Sequence, residues 1–304
     1  MKEIRYRFRD VISCNMCGYE TAKSRIMGQR MNRSQGVKPT RNTGITTSVV
    51  KCRNCGLIYS NPQPIPFDIE DHYGVPPEEY WSKEYFKLDT TYFSSEIFEA
   101  KKLLSFVKGM TALDIGTGIG KCFVALEKAG FDTRGIEPSA SFRDRAIDTM
   151  GIDSDRLKLG MLEETEYEDG QFDFITFGAV LEHLYDPSES ISRALKWLKP
   201  NGVLHLEVPS SDYFMAKVLN LYYKIIGTNY VTNISPMHEP FHLFEFGYKS
   251  FTEHASRNNY EIASHRYYVC DIYHVPRLVK PLLRWYMGKT KTGMQLSIWL
   301  RKLN

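Results

Sequence analysis

Asp114 is followed by Gly116, Gly118 and Gly120 in the stretch TALDIGTGIG, Thr111 to Gly120. An apolar run that reaches an acid and then a glycine at every second position reads as a buried strand ending in a tight turn at the start of a helix. Glycine suits such a turn because, lacking Cβ, it takes positive φ and lets backbone N–H groups approach a ligand. The helix from Lys121 points its positive end at the same place. A second strand, FDTRGIEPS from Phe131 to Ser139, ends in Glu137, where a carboxylate can accept two hydroxyls of one ligand.

Two CxxC pairs form another group, Cys14-Asn-Met-Cys17 and, after 34 residues, Cys52-Arg-Asn-Cys55-Gly56. They offer four thiolates at the spacing of a structural zinc ribbon, and a site closed by four sulfurs leaves no position for catalysis. Disulfides are the competing reading. The opening MKEIRYRFRD lacks the apolar core of a secretion signal, so the chain is expected in the cytoplasm, where disulfides are disfavoured. Cys122 and Cys270 stand alone and read as small buried hydrophobes. No apolar run approaches the ~20 residues of a membrane span.

With 304 residues, 42% of them hydrophobic and 25% charged, the chain suits one α/β domain with small additions. Its net charge is only +3, unevenly spread. Thr21–Lys51 holds seven basic residues and no acid, as does Arg277 to the end, so the body between them is acidic. Two basic appendages suit an anionic partner, whether a nucleotide-linked substrate, a phospholipid surface or RNA; solvated loops would look the same.

The glycine spacing is GxGxG, where a dinucleotide fingerprint has GxGxxG. With its preceding acid it resembles motif I of the class I S-adenosylmethionine (SAM) methyltransferases. The later pieces follow that fold's order: a helix over Lys121–Ala129, the Glu137 strand, and a helix over Ser141–Gly151 capped by Ser141. Strands over Leu157–Gly160 and Gln171–Val180, a helix over Ser190–Leu198 and a strand over Gly202–Pro209 come next. Phe251–Asn259 reads as a helix and Glu261–Cys270 as a strand. The alternating Met294, Leu296, Ile298 and Leu300 read as an antiparallel last strand.

The expected architecture is therefore a Rossmann-like α/β sheet of seven strands, the last antiparallel, over residues 111–304. It stands behind a zinc ribbon at 1–66 with a basic inter-knuckle loop, and an aromatic helical connector at 67–110. Residues 210–245 are expected as a lid insertion. The basic segment 276–291 is expected to rest on an anionic membrane or to pack on the domain.

A CxxC pair, a CxxCG, the NPxP exit at Asn61–Pro64 and then a SAM fold are similar to the zinc-containing methyltransferases of bacterial sugar, polysaccharide and natural-product pathways. The resemblance implies that Asp114, Gly116, Thr117, Gly118 and Gly120 hold the methionine end of SAM. Glu137, with Pro138 beside it, would hold the ribose, Met161 and Leu162 the adenine, and Gly178 would lie beside the donor sulfur. The implied acceptor is a small molecule or glycan-type compound, such as a sugar nucleotide, polysaccharide or lipid-linked precursor, in the cytoplasm or at the inner face of the membrane.

No acid or Asn followed by Pro-Pro and an aromatic is present, so DNA is not an expected partner. RNA gripped by the ribbon and basic loop is one alternative, and a non-catalytic SAM-fold binding protein another. For the base, His242 matches a family histidine that opens an HLxxF stretch, although Phe241 stands where a Glu is usual. His183, His238 and Glu239 are the other candidates, a histidine pKa near 6.5 being suited to proton abstraction. His183 would equally serve to hold its own loop by a hydrogen bond.

Overall fold

The computed structural model describes residues 6–33, 42–67, 91–234, 242–272 and 275–303. The first part contains β1 (Tyr6–Arg9), β2 (Arg25–Arg33), β3 (Asn42–Lys51), β4 (Ile58–Asn61) and β5 (Gln63–Pro66). Each CxxC turn ends on a glycine with positive φ, 70° at Gly18 and 80° at Gly56. The glycine amide donates back to the carbonyl of the first cysteine, at 2.7 Å for Gly18 to Cys14 and 3.1 Å for Gly56 to Cys52. A Cβ at either glycine would strain that backbone.

The expected loop between the knuckles contains an antiparallel hairpin of β2 and β3, with Gly28 opposite Val49 and Arg30 opposite Thr47. The β-branched run ITTSVV favours that extended form. Arg30 is turned inward, donating to the Tyr230 hydroxyl with its guanidinium 5.0 Å from the ring centre. This basic residue therefore serves packing rather than an outside anion. Residues 34–41, with Lys38 and Arg41, lie outside the described residues.

The main body adds α1 (Ser94–Leu104), β6 (Thr111–Ile115), α2 (Lys121–Lys128), β7 (Asp132–Glu137), α3 (Ala140–Met150) and β8 (Leu157–Leu159). It continues with β9 (Phe172–Gly178), α4 (Pro187–Trp197), β10 (Leu198–Pro209), α5 (Phe214–Ile225), β11 (Phe244–Glu245), α6 (Tyr248–Ala255), β12 (Tyr260–Tyr268), α7 (Lys280–Thr290) and β13 (Gln295–Lys302). Seven of these strands form one sheet in the order β12-β13-β10-β9-β6-β7-β8. The run from β10 to β8 is parallel, and β13 is antiparallel to both of its neighbours. The chain winds outward one way from β6 and the other way from β9, so the crevice above that pair is the topological switch point where ligands bind in such sheets.

Local chemistry moves three of the expected boundaries. The cap of α3 is Ser139, whose Oγ accepts from the Phe142 amide at 3.4 Å, two residues ahead of the expected Ser141. Helix α4 begins at Pro187 because Asp186 accepts from the Glu189 amide at 3.0 Å and proline is preset for a first helical turn. Helix α6 begins at Tyr248, three residues before the expected Phe251, with the Gly247 amide donating to Ser250 Oγ at 3.0 Å. In β13 the polar positions are not outward: Ser297 and Trp299 are as buried as their apolar neighbours. The Ser297 hydroxyl meets His205 Nε2 at 2.7 Å, and His205 Nδ1 meets Thr176 Oγ1 at 2.9 Å. Burial pushes the His205 pKa down to about 3, so this histidine stays neutral and structural.

The cysteine-bearing part and the main sheet share one core. Cys14, Met16, Cys52, Cys55, Leu57 and Tyr59 belong to the same buried cluster as Leu181, Leu184, Leu243 and Phe244. The segment expected as a lid ends in β11, which pairs with β4 through Phe244–Tyr59 and Glu245–Ile58. The smaller sheet thus runs β11-β4-β3-β2, with one strand borrowed from far along the chain.

Candidate functional site

At the end of β6 the backbone takes positive φ at Gly116, Gly118 and Gly120, 69°, 56° and 90°. A Cβ on Gly116 would stand 2.5 Å from Val180 Cγ2, and one on Gly120 would stand 2.5 Å from Ile152 Cδ1, so a side chain at either would add crowding to the strain of the positive φ. A Cβ on Gly118 would meet only a carbonyl oxygen, at 4.0 Å, and that position opens outward. The Gly118 amide donates to Glu137 Oε2 at 2.7 Å, and the Ser139 amide to Oε1 at 2.9 Å. Thr117 is turned inward, its hydroxyl donating to the Asp114 carbonyl at 3.0 Å.

Asp114 is 2% exposed, and its Oδ2 has no hydrogen-bond partner among the described residues. Burial pushes both the Asp114 and the Glu137 carboxyl up to about 7, with Glu137 adding to the effect on Asp114. Cys122 lies beside Asp114, and burial together with that acid pushes its thiol well up, which keeps it protonated and unreactive. Two buried acids with one orphaned oxygen beside an open glycine turn suit a ligand that brings positive charge and hydroxyls.

Farther round the switch point, the Gly160 amide donates to the Glu137 carbonyl at 3.1 Å and the Met161 carbonyl accepts from Thr165 Oγ1 at 2.8 Å. This brings Met161 alongside β7, half-buried, while Leu162 is packed into the core. Pro138 is half-buried behind Glu137, and Gly178 is exposed at the end of β9.

The histidines converge on the same edge. A 3-10 turn over Leu181–His183 follows β9. Its Glu182 carbonyl accepts from the Leu243 amide at 2.7 Å, and the Leu243 carbonyl accepts from the Ser60 amide at 3.0 Å. His242 is therefore pinned between the β9 turn and β4. The His183 and His242 rings stand 4.7 Å apart, edge to face, and His242 Nε2 lies 4.0 Å from Glu182 Oε1. Glu182 is 1% exposed, its Oε2 has no hydrogen-bond partner among the described residues, and burial pushes its carboxyl up to about 8. His238 and Glu239 lie outside the described residues.

Two further acids stand here that sequence reading passed over. Glu207 lies opposite Gly178 in the β9–β10 register, and burial, reinforced by Glu96, pushes it up to about 7. Glu96 accepts from the Tyr268 hydroxyl at 2.5 Å and from Ser95 Oγ at 2.9 Å. An acid within the apolar GVLHLEVP, at the ligand-binding end of its strand, was the available signal for Glu207.

The four cysteine sulfurs lie within 4.8 Å of one another, with Cys14–Cys55 and Cys17–Cys52 both at 3.5 Å. That exceeds the ~2.05 Å of a disulfide and is near the ~3.8 Å between sulfurs sharing a tetrahedral zinc at ~2.3 Å. The first knuckle also grips the histidine loop: Asn15 Nδ2 donates to Asp186 Oδ1 at 2.8 Å, and Asn15 Oδ1 accepts from the Ser188 amide at 2.6 Å.

Residues 91–265, more than half of the chain, match the methyltransferase domain family. The chain belongs to the class I SAM-dependent methyltransferases. The ubiquinone biosynthesis O-methyltransferase of Coxiella burnetii is 31% identical over 136 residues, 43% of this chain and 54% of that protein. Phosphoethanolamine N-methyltransferase 2 of Caenorhabditis elegans is 29% identical over 117 residues, 37% of this chain and 27% of that protein. The match spans about half the length of the first of these relatives and about a quarter of the second. Among solved structures, a chain from the complex of the Haloferax volcanii Trm112 methyltransferase activator with a methyltransferase covers 78% of this chain and 98% of its own. Its TM-score is 0.50 at 15% identity, a likeness of fold alone. The methyltransferase sheet thus extends past the matched region to β13, which completes it.

Proposed function

We propose that the protein transfers the methyl group of SAM to a small-molecule or glycan-type acceptor, and that His242, beside Glu182, takes the acceptor's proton. The convergence of His183, His242 and buried Glu182 near the end of β9 carries this reading. SAM, when bound, supplies an electrophilic methyl group on a positively charged sulfur. The chain has then to hold the cofactor, align the acceptor and remove a proton.

Asp114 and the glycine turn would hold the amino-acid end, Glu137 with Pro138 the ribose hydroxyls, and Met161 with Leu162 the adenine. Gly178 leaves room for the reacting groups. Positive charge from the cofactor offsets the cost of ionising Asp114 and Glu137 in their buried setting. As the acceptor loses its proton to His242, a charged Glu182 stabilises the imidazolium, and His183 lines the same face. The cysteine cluster would hold a structural zinc ion. The two relatives carry small-molecule names, which supports that acceptor class here; an anionic sugar nucleotide or lipid-linked precursor fits the basic segments.

Incubation with methyl-labelled SAM and separated nucleotide-sugar, lipid and RNA fractions of a host extract is expected to label the first or second fraction. Label in RNA alone would overturn the acceptor class. Failure of SAM to bind would overturn the site.

Asp114→Asn is expected to weaken SAM binding about 10- to 100-fold, the range for losing a hydrogen bond to a charged group. It also changes stability with pH. The Asp114 carboxyl sits at 3.8 when unperturbed and about 7 in the fold, so its ionisation opposes folding. Its stabilising contribution is present below about pH 4 and lost as pH rises through about 7. SAM-free wild type should therefore lose more stability between pH 5 and 8 than Asp114→Asn does, measured by thermal melts alongside titration calorimetry with SAM. Equal SAM affinity in the variant would remove Asp114 from the site.

A further inference from the structure

Helix α5 carries Val218, Leu221, Tyr222 and Ile225 at the i, i+3, i+4, i+7 spacing of one face, and all four are exposed, Ile225 at 75%. Leu278 and, on α7, Leu282 and Trp285 repeat the pattern at i, i+4 and i+7, exposed at 94%, 64% and 61%. The two helices pack together, with the Phe214 ring 4.9 Å from that of Tyr286 and Met215 in one buried cluster with Met287 and Leu283. More than half of the exposed large apolar side chains of the described residues fall on or beside these two helices. Single exposed apolar residues need no explanation, but two adjacent stripes do.

The charges around the stripes are mostly basic, with Lys217 paired to Asp212 at 3.5 Å. Lys224, Arg277, Lys289 and Lys291 have no acidic partner among the described residues, while Lys280 and Arg284 share Asp271 at 3.2 and 2.9 Å. Apolar stripes with an exposed tryptophan, flanked by unpaired cations, have the chemistry of a helix pair lying in the interface of an anionic bilayer. The position is also specific. Helix α5 leaves the carboxyl end of β10, and α7 feeds the start of β13, whose Gln295 pairs with Pro209. Both helices thus flank the edge of the sheet that carries Gly178 and Glu207.

We infer that α5 and α7 dock the protein on an anionic phospholipid surface, with the methyl-transfer site facing the bilayer boundary. This deepens the acceptor reading above, since a lipid-linked acceptor would then reach the site from the membrane. Vesicle binding is measured without methyl transfer, so each reading can fail alone.

The test is co-sedimentation of the full chain with vesicles of phosphatidylcholine containing about a third phosphatidylglycerol, against phosphatidylcholine alone. The expected result is at least tenfold stronger partition onto the anionic vesicles, weakened by salt, with a blue shift in Trp285 fluorescence that Trp285→Phe removes. Ile225→Ser with Leu282→Ser should lose at least tenfold in partition, and Lys224→Gln with Lys289→Gln should lose the preference for anionic lipid. Both double variants should keep SAM affinity and melting temperature, which shows that they fold. Absence of partition at low salt would overturn the inference. So would a stable dimer in vesicle-free solution that loses its stability in Ile225→Ser with Leu282→Ser, because a second copy would then own this face.

Discussion

If the cysteine cluster holds zinc as proposed, removing the metal is expected to collapse the smaller sheet and abolish methyl transfer together. Structural zinc contributes about 10–16 kcal/mol of apparent binding free energy in small domains, comparable with the whole stability of a domain. Here three of the four candidate ligands are core residues, Cys14, Cys52 and Cys55 each being 1% exposed. Without a cation four crowded sulfurs cannot all stay ionised, and the hydrogen bond with Cys14 together with burial pushes the Cys55 thiol upward. The consequence reaches the methyl-transfer edge by two routes. Asn15, between Cys14 and Cys17, holds Asp186 and Ser188 just after His183. The Ser60 amide, on the strand after the second knuckle, holds Leu243 just after His242.

A strong chelator, or Cys55→Ser, should therefore lower the melting temperature by more than ten degrees and cut turnover at least a hundredfold, with one zinc released per chain. SAM affinity should fall much less, because the hydrogen bonds that hold Glu137 and the glycine turn come from Thr117, Gly118 and Ser139. Metal content by mass spectrometry, melting curves and labelled-methyl assays make the comparison. Unchanged turnover in metal-free protein would show that the ribbon does not position the base.

His242→Ala is expected to reduce kcat by about 10²–10⁴, the range for a lost general base, while SAM affinity changes less than about threefold. The larger end applies to an acceptor hydroxyl, whose proton must leave as the methyl group arrives. Glu182→Gln should cost about tenfold and alter the pH profile. Ionised Glu182 favours the proton's arrival on His242, and burial places that ionisation at about 8. Wild-type kcat/KM should accordingly rise through about pH 8, and Glu182→Gln should flatten that limb. If His242→Ala retains full turnover while His183→Ala loses it, the base is His183, whose ring stands 4.7 Å away. If neither variant loses turnover, positioning alone carries the reaction.

Much of this site is written in short-range patterns. The turn Asp114–Gly120 is legible because glycine takes its positive φ without strain and without crowding Val180 and Ile152. The two knuckles are legible because each CxxCG closes its own tight turn, and the strand and helix order follows from apolar periodicity with Ser, Asp and Pro at the helix starts. Boundaries within a turn were less legible, as Ser139 and Ser141 offer the same hydroxyl and only one has its amide partner in reach.

The pairing of distant segments was not legible in the chain. That β11 joins β4, that Asn15 caps the loop after His183, and that buried Glu182 faces His242 all depend on residues far apart in sequence. The same holds for the outward face of α5 and α7: Leu282 and Trp285 have the composition of core residues, and only the packing of their neighbours leaves them at the surface. Residue order alone sets the methyltransferase sheet, its glycine turn and the cysteine quartet, since turns and periodicity are local properties of the backbone. Which acid meets which histidine and which apolar face stays uncovered follow only from the fold, because burial and charge pairing belong to surroundings assembled once the chain has folded.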